Sequence, residues 1–439
     1  MPKKIIAGFC CAVVLLCSCF TAAAYEPDTF TVRAEGCVLA SLDTGELLYQ
    51  KNENKRLYPA SLTKIMTATV VLDTANDLNE VVTAGESAIA ILQGTDSSTM
   101  GLQAGEQLSV LNLLYTLLVH SANDAANILA ERFGNGSIAE FVEKMNQKAA
   151  ELGMQNTHYV NAHGLHDENH YTTPYDMYLL TRYALKNETF KKIVETVRYT
   201  LPATNKHGQR ILATTNFLQD ANSVTPEYFY KYAGGVKTGY TDEAGRCLVS
   251  TATKNGETYL CVLMKSPVTN EKGVKVRYEF PDSKNLYEWA FKNFEYRQIY
   301  DTSTPVGECP VALSAENDHV AVLLAESVNA TLPKNADNST VEVELHFNEG
   351  GVQAPVAKGQ KLGTATVKYA GQELATVDVV AMNEVQRSTM LYIIQVLTDF
   401  LHSPTLKLIL TVLAVFIILL VAYCLWLNRH RKKRRRRRR

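Results

Sequence analysis

Neither charge sign is in excess in this chain, where 44 Lys or Arg stand against 45 Asp or Glu for a formal net charge of −1. The balance hides two basic ends that cancel an acidic middle. Lys3, Lys4, Lys407 and ten residues between Arg429 and Arg439 supply 13 of the basic groups, leaving 31 against 45 acidic ones in between. So acidic a stretch repels phosphate, and nucleic acid is excluded as its electrostatic partner. Zinc signals are lacking too. No H-E-x-x-H occurs, and the unevenly spaced cysteines match no zinc ribbon. His158, His163, His166 and His170 do cluster with Asp167 and Glu168, but the segment reads as a polar surface loop, unable to aim two imidazoles at one metal. No metal and no cofactor are expected. Cysteine is sparse where it would count: Cys10, Cys11, Cys17, Cys19 and Cys424 fall in the terminal apolar runs, leaving Cys37, Cys247, Cys261 and Cys309. Four cysteines in an exported protein allow two disulfides, whereas the apolar runs around Cys247 and Cys261 suit buried thiols; both stay open.

What is present at the ends sets the topology. Lys3 and Lys4, the apolar run Ile5 to Phe20 and the small residues Thr21 to Ala24 have the order of a secretory signal peptide, expected to span 1–24. Cys19 is a poor lipoprotein site, because Cys17 lies inside the would-be motif. Leu408 to Leu427 carries no charge and has the length to cross a bilayer as a helix, so a transmembrane segment is expected over 405–427. The basic tail 428–439 should then remain in the cytoplasm, with lipid headgroups as its partner, and everything between signal and span outside. The expectation is a single-pass protein of the cell membrane with an extracytoplasmic body.

Within that body, Cys37 to Ala40 and Leu47 to Tyr49 flank Asp43-Thr44-Gly45 as a strand pair. Ser61 to Leu72 is apolar nearly all round and reads as a buried helix. Residues 109–133, 137–152 and 174–185 show helical periodicity. Cys247 to Ala252 and Thr258 to Met264 form β-rich runs around the turn Asn255-Gly256, and a last helix is expected at about 283–295. Strands, then helices, then strands and a helix predict an α+β domain over 25–300, its sheet assembled from both ends. Short alternating runs from 301 to 386 predict a separate all-β domain. The stripe Leu391, Ile394, Leu397 and Leu401 within 387–404 suits a helix lying on the membrane or a plain stalk.

Three short motifs carry the chemistry. Ser61-Leu62-Thr63-Lys64 sets a hydroxyl and an amine three residues apart, on one face of a helix, where the amine can take the hydroxyl proton if burial and a second cation lower its pKa. Ser121-Ala122-Asn123 interrupts an apolar pattern, as a turn or a polar cleft does. Lys237-Thr238-Gly239 opens the later β-rich stretch, where Lys and Thr suit a carboxylate and Gly permits close backbone approach. Each alone says little; in this order the set is the one shared by penicillin-binding proteins and serine β-lactamases.

The surrounding residues extend the match. Tyr58 to Ala68, Ser121-Ala122-Asn123-Asp124-Ala125-Ala126, Asn161-Ala162-His163-Gly164-Leu165 and Gly235 to Gly245 closely resemble the low-molecular-mass D-alanyl-D-alanine carboxypeptidases, and the resemblance covers about residues 30–300. It implies the fold of a serine β-lactamase or DD-peptidase and removal of the terminal D-alanine from peptidoglycan stem peptides through an acyl-enzyme at Ser61, with β-lactams as covalent inhibitors. It further implies Lys64 as general base, Ser121 as proton relay, and Asn123 holding Lys64 or the substrate amide. Lys237 would depress the pKa of Lys64 and, with Thr238, hold the terminal carboxylate. Backbone N–H groups of Ser61 and Tyr240 would form the oxyanion hole beside Gly239, and Arg277 would be a second carboxylate contact, its other reading being a surface arginine. Ala122 departs from the glycine frequent in the family, and the full span departs from the surface helix that ends many relatives. A β-lactamase needs a Glu-x-x-x-Asn glutamate after the second motif for fast deacylation. The expectation is that none of the glutamates from Glu131 to Glu188 provides one, and that penicillin is released slowly. A wall-binding receptor without turnover is the non-enzymatic alternative; the full set of catalytic residue types speaks against it.

Overall fold

A computed structural model describes residues 27–436 apart from 28, 96, 349 and 350, so the expected signal segment 1–24 lies outside the described residues. The chain divides into two compact units. One runs through Arg297 and includes Asn329–Asp337; the other comprises Gln298–Val328 and the chain from Asn338 on.

The first unit opens with β1 (Gly36–Ser41) and β2 (Leu47–Lys51), paired around the turn where Gly45 takes a φ of 89°. Pro59 ends the extended chain, Ala60–Leu62 forms a 3-10 turn, and α1 (Thr63–Thr74) follows with Thr63 to Val71 all buried. A helix with no polar face needs protein on every side. Those neighbours follow the small pair β3 (Val81–Thr83) and β4 (Gln107–Ser109) and the short α2 (Glu86–Ala90). They are α3 (Val110–Leu118), α4 (Asn123–Phe133), α5 (Ile138–Glu151), α6 (Pro174–Ala184) and α7 (Glu188–Val194). Ser109, Ser137, Thr173 and Asn187 cap four of them by accepting hydrogen bonds from first-turn N–H groups. The helix expected over 109–133 is therefore two. The chain breaks at Ser121, whose φ of 65° leaves the helical path, and Asn123 N donates to Ser98 O at 2.8 Å instead of continuing the ladder.

A hairpin not anticipated from the sequence, β5 (Arg198–Leu201) with β6 (Arg210–Ala213), precedes β7 (Ala233–Thr241), β8 (Gly245–Lys254) and β9 (Glu257–Ser266). The main sheet has the order β2-β1-β9-β8-β7, so the first and last strands of the unit do interleave and β7 stands at an edge. Alternation along the strands divides the core in two. Val38, Ala40, Val249 and Val262 face the α1 side, while Leu39, Leu248, Cys261 and Leu263 face α8 (Glu279–Asn293) through Phe280, Leu286, Tyr287 and Ala290. The helix α8 begins four residues before the expected 283, which leaves Arg277 just ahead of its first turn. Cys37, Cys247, Cys261 and Cys309 are all buried free thiols, so the two-disulfide alternative is set aside.

The rest of the chain is β-rich, as its alternating runs predict. It contains β10 (Phe294–Tyr300), β11 (Gly307–Ala312), β12 (His319–Leu324), β13 (Val328–Pro333), β14 (Val341–Phe347), β15 (Val352–Gln353), β16 (Lys361–Tyr369) and β17 (Gln372–Ala381). Six of them form a sheet in the order β14-β16-β17-β12-β11-β15. Two helices end the chain, α9 (Thr389–His402) and α10 (Pro404–Arg436). Pro404–Arg431 is long and apolar enough to cross a membrane.

Candidate active site

Ser61 stands in the 3-10 turn that leads into α1, and Lys64 in the first turn of that helix, so the two side chains share a face. Lys64 Nζ lies 2.9 Å from Ser61 Oγ, 2.6 Å from Asn123 Oδ1 and 2.8 Å from the carbonyl oxygen of His163. The amine is fully buried. Burial is the main force holding its pKa well below the usual lysine range, and the neighbouring Lys237 cation adds to it while Asp124 opposes.

The turn under Ser61 is shaped by the segment 161–170. Ala60 is held at a φ of 48°, and Gly164, with a φ of 89°, passes so close that a Cβ there would lie 1.9 Å from Ala60 O. Thr63 Oγ1 donates to Ala60 O at 2.8 Å and meets His170 Nε2 at 2.7 Å, while Thr67 Oγ1 donates to Ala162 O at 2.6 Å. The expectation of a polar surface loop therefore fails for half of its histidines. His158 and His166 are exposed, but His163 and His170 are buried beneath the Ser61 turn, and burial pushes both imidazoles down to about 3, keeping them neutral. A periodicity reading misses this because the segment has no regular structure of its own. Among the described residues no group of three His, Cys, Asp or Glu side chains is placed to hold a metal ion.

The other two motifs converge on the same place. Ser121 sits between α3 and α4 in its left-handed conformation, and Asp124 accepts from the N–H groups of Met100 and Leu102, fastening the neighbouring loop. Lys237 reaches from β7, with Nζ donating to Ser121 Oγ at 2.8 Å and to Thr238 O at 2.9 Å; burial lowers its pKa to about 7. Gly239 faces the Ser61 turn, where a Cβ would come within 2.9 Å of Pro59 O, so the close approach it permits is to the protein's own backbone. Thr238 and Thr215 share a hydroxyl hydrogen bond, and Asn216 Nδ2 donates to Gly235 O at 2.7 Å.

Ser61, Ser121, Thr238, Gly239, Tyr240 and Arg277 all line one cleft of about 480 Å³, with Lys64, Asn123 and Lys237 behind its wall. Arg277 is no isolated surface arginine: its guanidinium lies 4.7 Å from the Phe217 ring centroid and 3.9 Å from Glu279. The cleft also holds Ser98, Thr214, Thr215, Phe217, Arg246 and Glu279, none of which stood out in the sequence. One Glu-x-x-x-Asn does occur after the second motif, in Glu131 and Asn135, contrary to expectation. Both line a separate groove with Val81 and Thr83, and the Glu131 carboxylate accepts from the Ser87 hydroxyl, so neither borders the cleft of Ser61.

Residues 21–268 match the family described as D-alanyl-D-alanine carboxypeptidase, and residues 294–387 that described as penicillin-binding protein 5, C-terminal domain. The D-alanyl-D-alanine carboxypeptidase DacF of Bacillus subtilis is 32% identical over 359 residues, covering 81% of this chain and 86% of the relative. DacA of Haemophilus influenzae is 32% identical over 372 residues, with the same coverage of 81% and 86%. Among solved structures, penicillin binding protein 5 from Haemophilus influenzae superposes with a TM-score of 0.64 at 30% identity, over 82% of this chain and all of that one. The Streptomyces K15 DD-transpeptidase does so with a TM-score of 0.54 at 32% identity, over 60% of this chain and 98% of that one.

Proposed function

The chain belongs to the D-alanyl-D-alanine carboxypeptidase family, and on that premise we propose that it removes the terminal D-alanine of peptidoglycan stem peptides through an acyl-enzyme on Ser61. The observation that carries the mechanism is the surroundings of the Lys64 amine. Asn123 Oδ1 and the His163 carbonyl can only accept hydrogen bonds, so they take both N–H groups of a neutral amine and leave its lone pair toward Ser61 Oγ at 2.9 Å. Lys64 then withdraws the Ser61 proton as the oxygen attacks the carbonyl of the penultimate D-alanine. The backbone N–H groups of Ser61 and Tyr240 hold the oxyanion. Ser121, positioned by Lys237, relays the proton held by Lys64 to the departing D-alanine nitrogen, the C–N bond breaks, and an ester on Ser61 and a neutral Lys64 remain. Water activated by Lys64 hydrolyses that ester and restores the serine. Thr238 and Arg277 bind the terminal carboxylate, and the free edge of β7 pairs with the extended stem peptide.

A β-lactam acylates the same serine and leaves slowly, since Glu131 is remote from the cleft. The apolar helix Pro404–Arg431 crosses the cytoplasmic membrane once, its basic end inside with the lipid headgroups and the chain before it outside. The test is to treat the full-length protein in detergent with labelled penicillin and with a stem pentapeptide. A covalent adduct on Ser61, stoichiometric release of one D-alanine and indifference to chelator are expected. An adduct that survives Ser61→Ala sinks the assignment.

A further inference from the structure

The cleft has a charged end that the steps above leave largely unused. Glu279, the first residue of α8, lines it together with Arg246 of β8 and Arg277. Glu279 is 2% exposed; its Oε1 lies 3.9 Å from Arg277 Nη1, beyond hydrogen-bond reach, and its Oε2 has no partner. Arg246 Nε is likewise buried and unpartnered, with the guanidinium 4.9 Å from the Tyr240 ring centroid. Burying a carboxylate without its hydrogen bonds costs stability, so packing alone gives no reason for this residue.

Its place in the cleft supplies one. Thr238 and Arg277 border the same space, and a substrate carboxylate drawn to them comes close to a second carboxylate already there. Ionised Glu279 offsets part of the positive potential of the two guanidinium groups. We propose that Glu279 is a specificity-determining residue that weakens the hold of Arg246 and Arg277 on an anionic C-terminus, so that the cleft discriminates less strongly against peptides whose terminal residue is uncharged. This rests on reading the cleft as the D-Ala-D-Ala site.

The effect depends on pH. Burial pushes the Glu279 carboxyl up to about 7, while its own backbone N–H, Arg246 and Arg277 pull it down and Asp282 adds to the rise. Tyr228, from the 3-10 turn Pro226–Tyr228, and Cys247 of β8 are the other titratable groups facing it. Below about 7 the carboxyl is neutral and the arginines act unopposed; above it the charge appears and the hold on a carboxylate slackens. KM for a carboxylate-ended peptide therefore rises from pH 6 to 8, whereas that for the corresponding C-terminal amide stays level.

The experiment measures kcat and KM of the full-length enzyme at pH 6, 7 and 8 on an acyl-D-Ala-D-Ala peptide and on its C-terminal amide. Glu279→Gln should lower KM for the carboxylate about tenfold at pH 8, reduce its rise with pH to the part that Lys237, its own pKa lowered to about 7, contributes, and leave the amide little changed. Arg246→Gln should raise KM for the carboxylate. A carboxylate-to-amide preference that is unchanged or reduced in Glu279→Gln at pH 8 overturns the proposal. Labelled penicillin on Ser61 reports that each variant is folded; should Glu279→Gln fail that check, Glu279→Ala is measured in its place and judged by the same preference at pH 8. If the wild-type enzyme acylates and releases D-alanine but its preference does not move with pH or variant, the proposal alone falls. If it does neither, the reading of the cleft falls with it.

Discussion

Lys64 and Lys237 are two amines buried within one polar network, and their states are coupled through charge. Protonated Lys237 makes a proton on Lys64 more costly, so it helps keep Lys64 below its ordinary range, after burial itself. Removing the Lys237 charge raises the Lys64 pKa. Acylation of Ser61 needs Lys64 neutral, so the rate falls on the acid side of that pKa. Lys237→Gln is therefore expected to move the acid limb of penicillin acylation to higher pH, besides lowering the plateau by roughly a hundredfold through loss of the Ser121 contact. The rate constant measured against pH for both proteins checks this; a limb that stays in place or moves to lower pH contradicts it. At this scale the motifs were legible because Ser61 and Lys64 are near neighbours on one helical turn, a geometry that spacing alone implies. Arg246 and Glu279 were not, because they meet only when β8 and α8 have packed.

Hairpin β5–β6 shows how an element can govern the cleft without touching substrate. The strand β6 ends at Ala213, and the next two residues, Thr214 and Thr215, form part of the cleft wall. What tethers the hairpin is Glu106, whose fully buried carboxylate pairs with Arg210 and accepts from Thr204 Oγ1 at 2.8 Å. Breaking a buried pair leaves an uncompensated charge. Glu106→Gln is expected to cost roughly 3 kcal/mol of stability and to raise KM more than it lowers kcat, because Thr215 supports Thr238 while the Ser61–Lys64 pair is untouched. Denaturant unfolding and steady-state kinetics together read this, and a pure kcat defect would speak against it. The hairpin escaped the sequence reading because its strands are four residues each and their alternation is too short to register. The break at Ser121 was legible only as an interruption of the apolar pattern, a turn or a polar cleft; that it divides the expected helix in two is decided by the left-handed Ser121 and the contact of Asn123 N with Ser98.

For the molecule as a whole, the chain places the residues of the cleft before Gln298 and its apolar helices after Arg387. The helix α9 exposes Leu391, Ile394, Leu397 and Leu401, and α10 exposes apolar residues along its length, surfaces that water disfavours. A chain ending at Arg387 is expected to leave the membrane fraction and appear in the soluble one, with kcat/KM on a pentapeptide within about twofold of the full-length enzyme, since units with their own cores fold separately. Fractionation and D-alanine release measure the two halves of that expectation. Retention on membranes would point to a further attachment in 27–387, and a large loss of activity would show that the catalytic unit needs the anchor.

The sequence by itself determined the apolar span and the α+β-then-β order, because these rest on local facts, run length and alternation period, and its three motifs led to the reaction class through the family they resemble. Tertiary structure alone decided what surrounds those residues. It buried His163 and His170 under the Ser61 turn, set the His163 carbonyl against Lys64, and gathered Arg246, Arg277 and Glu279 at the end of the cleft. Burial and charge proximity shift a pKa or orient a lone pair, and both depend on residues far apart in the chain being pressed together, which no local pattern encodes.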